Sequence, residues 1–468
     1  MRQGRLLTAT TVIAVVAAVA ATLLPATSAI AHDPDDDHPG WFIPSPESQT
    51  QNLHLLASAP KTFPESTYRN SDLAFWGRVG YAGDYRGFRT IDISDPENPR
   101  VLADVNCPGS QHDVSVYRGW LFLSVDAPRT SPGCDGSATT GGAPGFEGIR
   151  IFDVRDPAHP VYAGAVATDC GSHTHTLIPD GDRVLLYISS YPAAGFGTSP
   201  YGNSCARLNP DGTQGHAKIS VVEVPLGDPT AARVVSEPSF QLRDRANIPG
   251  YRGCHDISVF LEIKRAAAAC LSEGQIWDIS DPVNPRTIAR VHNSNVDFWH
   301  STSFTHDGRV VLFGDEAGGG TSPRCRSTDA DTLGAIWFYD LASLDNMDAA
   351  AEEARLGHFK IPRPQGDAAN CTMHNFNVLP ISGRYVAVSA AYAGGTTVID
   401  FTDPANSREV GHFDPHGANT WSSYWYNGFI YANDSGRGLD VLLLSDPARA
   451  GAQRLGHLNP QTQVNLIS

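Results

Sequence analysis

The chain runs to 468 residues, with 50 Asp and Glu against 34 Lys and Arg, a formal net charge of −16. So acidic a chain makes nucleic acid and anionic lipid surfaces poor partners and leaves small molecules, cations and extracellular ligands. Eight cysteines, an even number with no CxxC pair, argue against a redox centre or zinc ribbon and for disulfides in an exported protein.

The amino terminus carries Arg2 and Arg5, an apolar stretch from Leu6 to Leu24, and Ala29-Ile30-Ala31, which has the small-x-small form of a signal-peptidase site. Residues 1–31 therefore read as a signal peptide, and the mature chain is secreted, with no stable membrane insertion after cleavage. The alternative is an uncleaved anchor, because the apolar stretch approaches spanning length. Residues 32–50, beginning His32-Asp33-Pro34-Asp35-Asp36-Asp37-His38, form an acidic, flexible segment. Its new amino terminus and two histidines offer a weak copper site.

From residue 51 to 468 one unit recurs seven times. Its first strands are SDLAFWG from Ser71, HDVSVYRG from His112, HTHTLIPDG from His173, HDISVF from His255, HSTSFTHDG from His300, HNFNVLPISG from His374 and WSSYWYNG from Trp421. Each alternates apolar and polar residues, as a half-buried strand does. A second strand follows the turn, as in WLFLSVD ending at Asp126 or RVVLFGD ending at Asp315. The third, as in FRTIDISDPENP from Phe88 or QIWDISDPVNP from Gln275, closes on an Asp-Pro turn. A fourth, of the type VLADV, leads to the next unit.

A four-stranded antiparallel meander repeated about every forty or more residues predicts an all-β protein, a single seven-bladed β-propeller. An open solenoid or a pair of sandwiches is the competing architecture. It fares less well because Leu53-His54-Leu55-Leu56 and Arg454-Leu455-Gly456-His457-Leu458 both look like lone fourth strands. Either one can complete the seventh blade and tie the ring.

In a propeller the first strands line the channel, so the five histidines that open them gather at one mouth, with His175 adding a sixth imidazole. The predicted metal ligands are His112, His173, His175, His255, His300 and His374. Second strands return to the same mouth, and there Asp84, Asp126, Glu316 and Asp434 are placed to hold the imidazoles by hydrogen bonds. Glu273 or Asp315 would act as base. Imidazole with some carboxylate suits copper, zinc, iron or manganese. The bland alternative is that these groups only brace neighbouring blades. Trp299, Trp421, Tyr424 and Trp425 can stack on a ligand at this mouth or simply pack. The cysteines fall on the same face and suggest pairs 107 with 134, 170 with 205, 254 with 270 and 325 with 371. GxSxG, HExxH and a dinucleotide GxGxxG are absent.

The strings DLAFWG, GFRTIDISDP, CGSHTHTL, FWHSTSF, WSSYWYNG and GLDV resemble the secreted LVIVD-repeat family over nearly all of the mature chain. That resemblance implies a β-propeller and leaves the biochemical role open. A more distant likeness, at the level of fold only, is to the copper-binding propellers of the selenium-binding protein and methanethiol oxidase group. Two functions follow from the residues: a metal-dependent extracellular oxidoreductase or hydrolase, or a propeller that binds a ligand or protein without chemistry. Metal capture at the cell surface is a third.

Overall fold

A computed structural model describes residues 1, 48–62, 68–139, 145–191, 215–242, 253–320, 324–345 and 354–467. The expected signal peptide beyond Met1, nearly all of the acidic segment, and Cys205 lie outside the described residues. The propeller belongs to the compact unit from His38 to Ser468.

Seven antiparallel sheets make the blades. The first is Asn70–Trp76, Val79–Asp84, Gly87–Asp92 and Arg100–Asn106, each strand paired with the next. Innermost strands of the following blades are Val114–Tyr117, Thr174–Asp180, Asp256–Phe260, Trp299–Phe304, Phe376–Val378 and Thr420–Tyr426. Each innermost strand packs on the next, and the seventh packs on the first, so the ring is closed.

Leu53–Pro60 is the strand that ties it. It pairs antiparallel with Gly438–Leu444, from Leu53 opposite Leu444 to Pro60 opposite Gly438, and completes the seventh blade. The rival carboxy-terminal strand does something else. His457–Leu458 pairs with the far end of the first blade's inner strand, and Thr462–Gln463 runs parallel to the far end of the fourth's. Between them Asn459 exchanges two hydrogen bonds with the backbone of Val116, at 2.8 and 3.0 Å. Gln463 does the same with Phe304, at 3.1 and 2.8 Å, and Thr462 Oγ1 donates to the Leu177 carbonyl. The tail thus crosses the channel end opposite the histidines and joins blades one to five.

An apolar layer fills every junction between blades. Successive residues of a strand point to opposite faces, and here both faces are buried: Val386 and Val388 pack toward the seventh blade, Ala387 toward the fifth. This is why second strands read as nearly continuous apolar runs. Trp299, Trp425 and Tyr424 belong to these layers and do not reach the mouth.

Disulfides join Cys107 to Cys134, Cys254 to Cys270 and Cys325 to Cys371, as the sequence suggested. Cys170 is also disulfide-bonded. No helix among the described residues is long and apolar enough to cross a membrane.

Candidate metal centre

Four histidines from four successive blades meet at one mouth. His173 and His255 directly precede the inner strands of the third and fourth blades, His300 lies within the fifth's, and His374 precedes the sixth's by two residues. Their rings follow one another at centroid distances of 4.5 Å (His173 to His255), 3.8 Å (His255 to His300) and 4.5 Å (His300 to His374). All four line one cavity of about 220 Å³ together with Glu316, which directly follows the fifth blade's second strand.

The outer two rings are held from behind. His173 Nδ1 is 2.6 Å from Asp126 Oδ2, and His374 Nδ1 donates to the backbone carbonyl of Trp421. Both contacts fix the Nδ1–H tautomer and leave Nε2 with its lone pair toward the cavity. His173 Nε2 lies 3.0 Å from His255 Nε2. Two nitrogens bound to one ion at ~2.1 Å and at an angle near 90° would stand about 3 Å apart. Glu316 spans the other side, with Oε2 3.6 Å from His300 Nε2 and Oε1 3.7 Å from His374 Nε2. The Tyr392 hydroxyl donates to Glu316 Oε1.

Single donor atoms of His255, His300 and Glu316 all lie within 4.8 Å of one another, and all three side chains are buried. His300 Nδ1 is buried without a hydrogen-bond partner. Burial, reinforced by the neighbouring imidazoles, holds His255 and His300 well below the usual histidine range, and burial takes His374 down to about 3. These rings are therefore neutral at physiological pH, the form that binds a metal. Burial pushes Glu316 up to about 7. The residues present fit a transition-metal ion.

The remaining sequence candidates sit elsewhere. His112 adopts φ 60°, donates from Nδ1 to the Asp84 carbonyl at 2.5 Å, and turns its Nε2 toward Gly109, outside the cavity lining. His175 is enclosed between the second and third blades, with Nδ1 2.8 Å from Ser124 Oγ and Nε2 2.7 Å from Ser115 Oγ. Both of its ring nitrogens are used, so it braces blades.

Of the four carboxylates placed beside the imidazoles, Asp126 takes that role and Glu316 enters the cavity itself. Asp84 and Asp434 close the turns after their strands by accepting from the amides of Arg86 and Gly87, and of Gly436 and Arg437. Asp315 accepts from Asp297, Phe298 and Gly334, while Glu273 accepts from Gln275 Nε2. Neither candidate base lines the cavity. Glu316, one residue beyond Asp315, does.

Sequence reasoning missed the aromatic wall. Tyr85, Tyr191, Phe298 and Tyr392 join Trp421 around the histidines. Tyr191 stacks on His255 at 5.6 Å, and Trp421 meets His374 edge-on at 4.9 Å. Aligning the one or two residues beyond each second strand would have revealed most of this wall, because Tyr85, Glu316 and Ser435 lie one residue past their strands and Tyr191 and Tyr392 two.

Beneath the imidazoles a space of about 20 Å³ is lined by Asp72, Asp113 and Asp256, with Gln461 of the tail. Tyr424 donates to Asp72 at 2.6 Å, and His175 donates its backbone amide to Asp113. Burial and the Asp113 charge drive Asp72 well above the usual carboxylate range.

No protein-family model matches the chain, and no curated protein matches it. Among solved structures, a β-propeller domain of Myceliophteria thermophila Cps50 (Swd1) is 10% identical, with TM-score 0.47 over 81% of this chain and 97% of that one. A putative 6-phosphogluconolactonase from Bacteroides fragilis is 11% identical, with TM-score 0.47 over 80% and 89%. A protein from Lactobacillus plantarum is 11% identical, with TM-score 0.49 over 85% and 97%. Similarities this low leave the fold assignment to rest on the sheet topology above.

Proposed function

We propose that this chain is an exported propeller of the LVIVD-repeat kind that binds one transition-metal ion at the histidine mouth and uses it as a metal-dependent enzyme on a small molecule. The observation that carries the reading is the opposed pair His173 and His374, each pinned at Nδ1 and each directing Nε2 into the cavity that His255, His300 and Glu316 share. His173, His255, His300 and His374 are the proposed ligands, and the ion is copper, zinc, iron or manganese.

Such an ion supplies a Lewis acid or a redox centre. The chain supplies the rest. Asp126 and the Trp421 carbonyl orient two imidazoles, and aromatic rings line the cavity around them. Glu316, with Oε2 3.6 Å from His300 Nε2 and raised toward neutrality by burial, accepts or returns a proton there while Tyr392 anchors Oε1.

An enzyme needs an open coordination position, whereas a closed set of protein ligands is structural. Cobalt(II) titration of metal-stripped protein, followed by visible absorption, tests this. One equivalent of cobalt whose spectrum shifts on adding azide is the expected result. Cobalt that binds with an azide-insensitive spectrum would leave a structural or storage site, and a protein that binds none would leave a braced binding propeller.

A further inference from the structure

We infer that the cavity accepts a small planar organic anion, an aromatic or otherwise unsaturated carboxylate, with its acid group at Arg69 and its flat body between the aromatic walls. The inference rests on the proposed metal centre for what lies at the cavity floor, and names the class of molecule that would reach it.

Arg69 is the only Lys or Arg among the described residues lining this cavity. It precedes the first inner strand, is half-buried, and stands with its guanidinium 5.9 Å from the Tyr85 ring centroid. Its own carbonyl accepts the Tyr85 amide at 2.8 Å, so backbone and ring hold the two residues together at the rim. A guanidinium is a planar fork that matches a carboxylate. Gln111, which like Arg69 also hydrogen-bonds the Tyr85 side chain, and Asn419 add primary amides to the same lining, whose remaining N–H groups a carboxylate oxygen can use.

The walls select the body of the ligand. Trp421 lies edge-on to Tyr85 at 6.0 Å and to Tyr392 at 6.1 Å, while Phe298 stands edge-on to His255 at 5.8 Å. Interlocked rings of this kind present flat apolar surface with little freedom to adjust. At about 220 Å³ the cavity is smaller than the usual ~300–1,000 Å³ of drug-sized pockets, which fits a single ring.

Placement agrees with this. Arg69 carries the one positive side chain among the described residues lining the cavity, so an acid group meets an opposite charge at the rim and a cationic amine a like one.

Calorimetric titration of the metal-loaded protein with benzoate, benzamide and benzylamine tests the inference, with an Arg69→Gln variant checked for unchanged melting temperature and metal content. Benzoate is expected to bind at least roughly tenfold more tightly than benzylamine, and Arg69→Gln to weaken benzoate roughly tenfold or more. Arg69→Lys should recover part of that loss. Equal binding of benzoate and benzylamine, or benzoate affinity unchanged in Arg69→Gln, would overturn it. Repeating the titration on metal-stripped protein separates the two readings. Arg69-dependent benzoate binding without metal upholds the anion site whatever the metal's fate, whereas a metal-replete protein that ignores benzoate defeats the anion site alone.

Discussion

Asp126 Oδ2 lies 2.6 Å from His173 Nδ1, across the junction between the second and third blades, and so sets which nitrogen of that ring faces the cavity. Carboxylates in this position raise the basicity of a ligating imidazole, and losing one typically costs about 10–100-fold in metal affinity. Asp126→Asn should therefore weaken metal binding by about that factor in a chelator competition. The melting temperature of the metal-free protein should change little, because Asp126 is partly exposed.

The tail across the far mouth should contribute measurably to stability. Asn459→Ala removes both hydrogen bonds to Val116 and leaves that buried backbone unpaired, a cost of about 1–3 kcal/mol. Urea denaturation should report the loss. Amide exchange at Val116 should accelerate well before that of the second strands.

Closure of the ring depends on Leu53–Pro60. A chain beginning after residue 60 would expose the whole edge of Gly438–Leu444, an unpaired apolar strand that invites association with another chain. Such a truncation is expected to elute as oligomers in size-exclusion chromatography, where a chain that keeps Leu53–Pro60 elutes as a single species.

An ion-pair cluster beside the fifth and sixth blades contributes stability that acid should remove. Arg363 holds Glu409 through Nη2 at 3.0 Å and Asp414 through Nη1 at 2.8 Å, all three largely buried. Burial opposes ionisation of Glu409, but His412, Arg363 and Thr397 outweigh it and hold the carboxyl below its usual range. A depressed folded pKa means this contribution is complete above the unfolded value of about 4.3 and is lost as pH falls through the folded value. Arg363→Met strands two buried carboxylates and should cost about 3–5 kcal/mol at neutral pH. Its acid unfolding should also begin at higher pH than that of the wild type.

The fold was legible because repetition averages out local ambiguity: seven copies of a strand, a turn and an Asp-Pro closure leave few architectures. Which terminus ties the ring was not, since Leu53–Leu56 and Leu455–Leu458 carry the same local pattern and only the pairing with Gly438–Leu444 separates them. His173, His255, His300 and His374 were recoverable from the first-strand alignment. His112 and His175 share that pattern but not the outcome. Nothing in the sequence announces that His112 takes a positive φ and turns to the Asp84 carbonyl, or that two serines occupy both nitrogens of His175. The same register argument favoured Asp315 over Glu316. One residue further along, the chain leaves the strand and the next side chain faces the cavity.

The central claim is a metal ion held at this mouth. Elemental analysis by mass spectrometry of the protein, purified without added metal, tests it most directly beside a His255→Ala/His374→Ala double variant shown to be folded by circular dichroism. About one equivalent of a single transition metal in the wild type, absent from the folded variant, is the predicted result. A wild type that holds no metal even after reconstitution, or a variant that retains the same amount, would contradict the account.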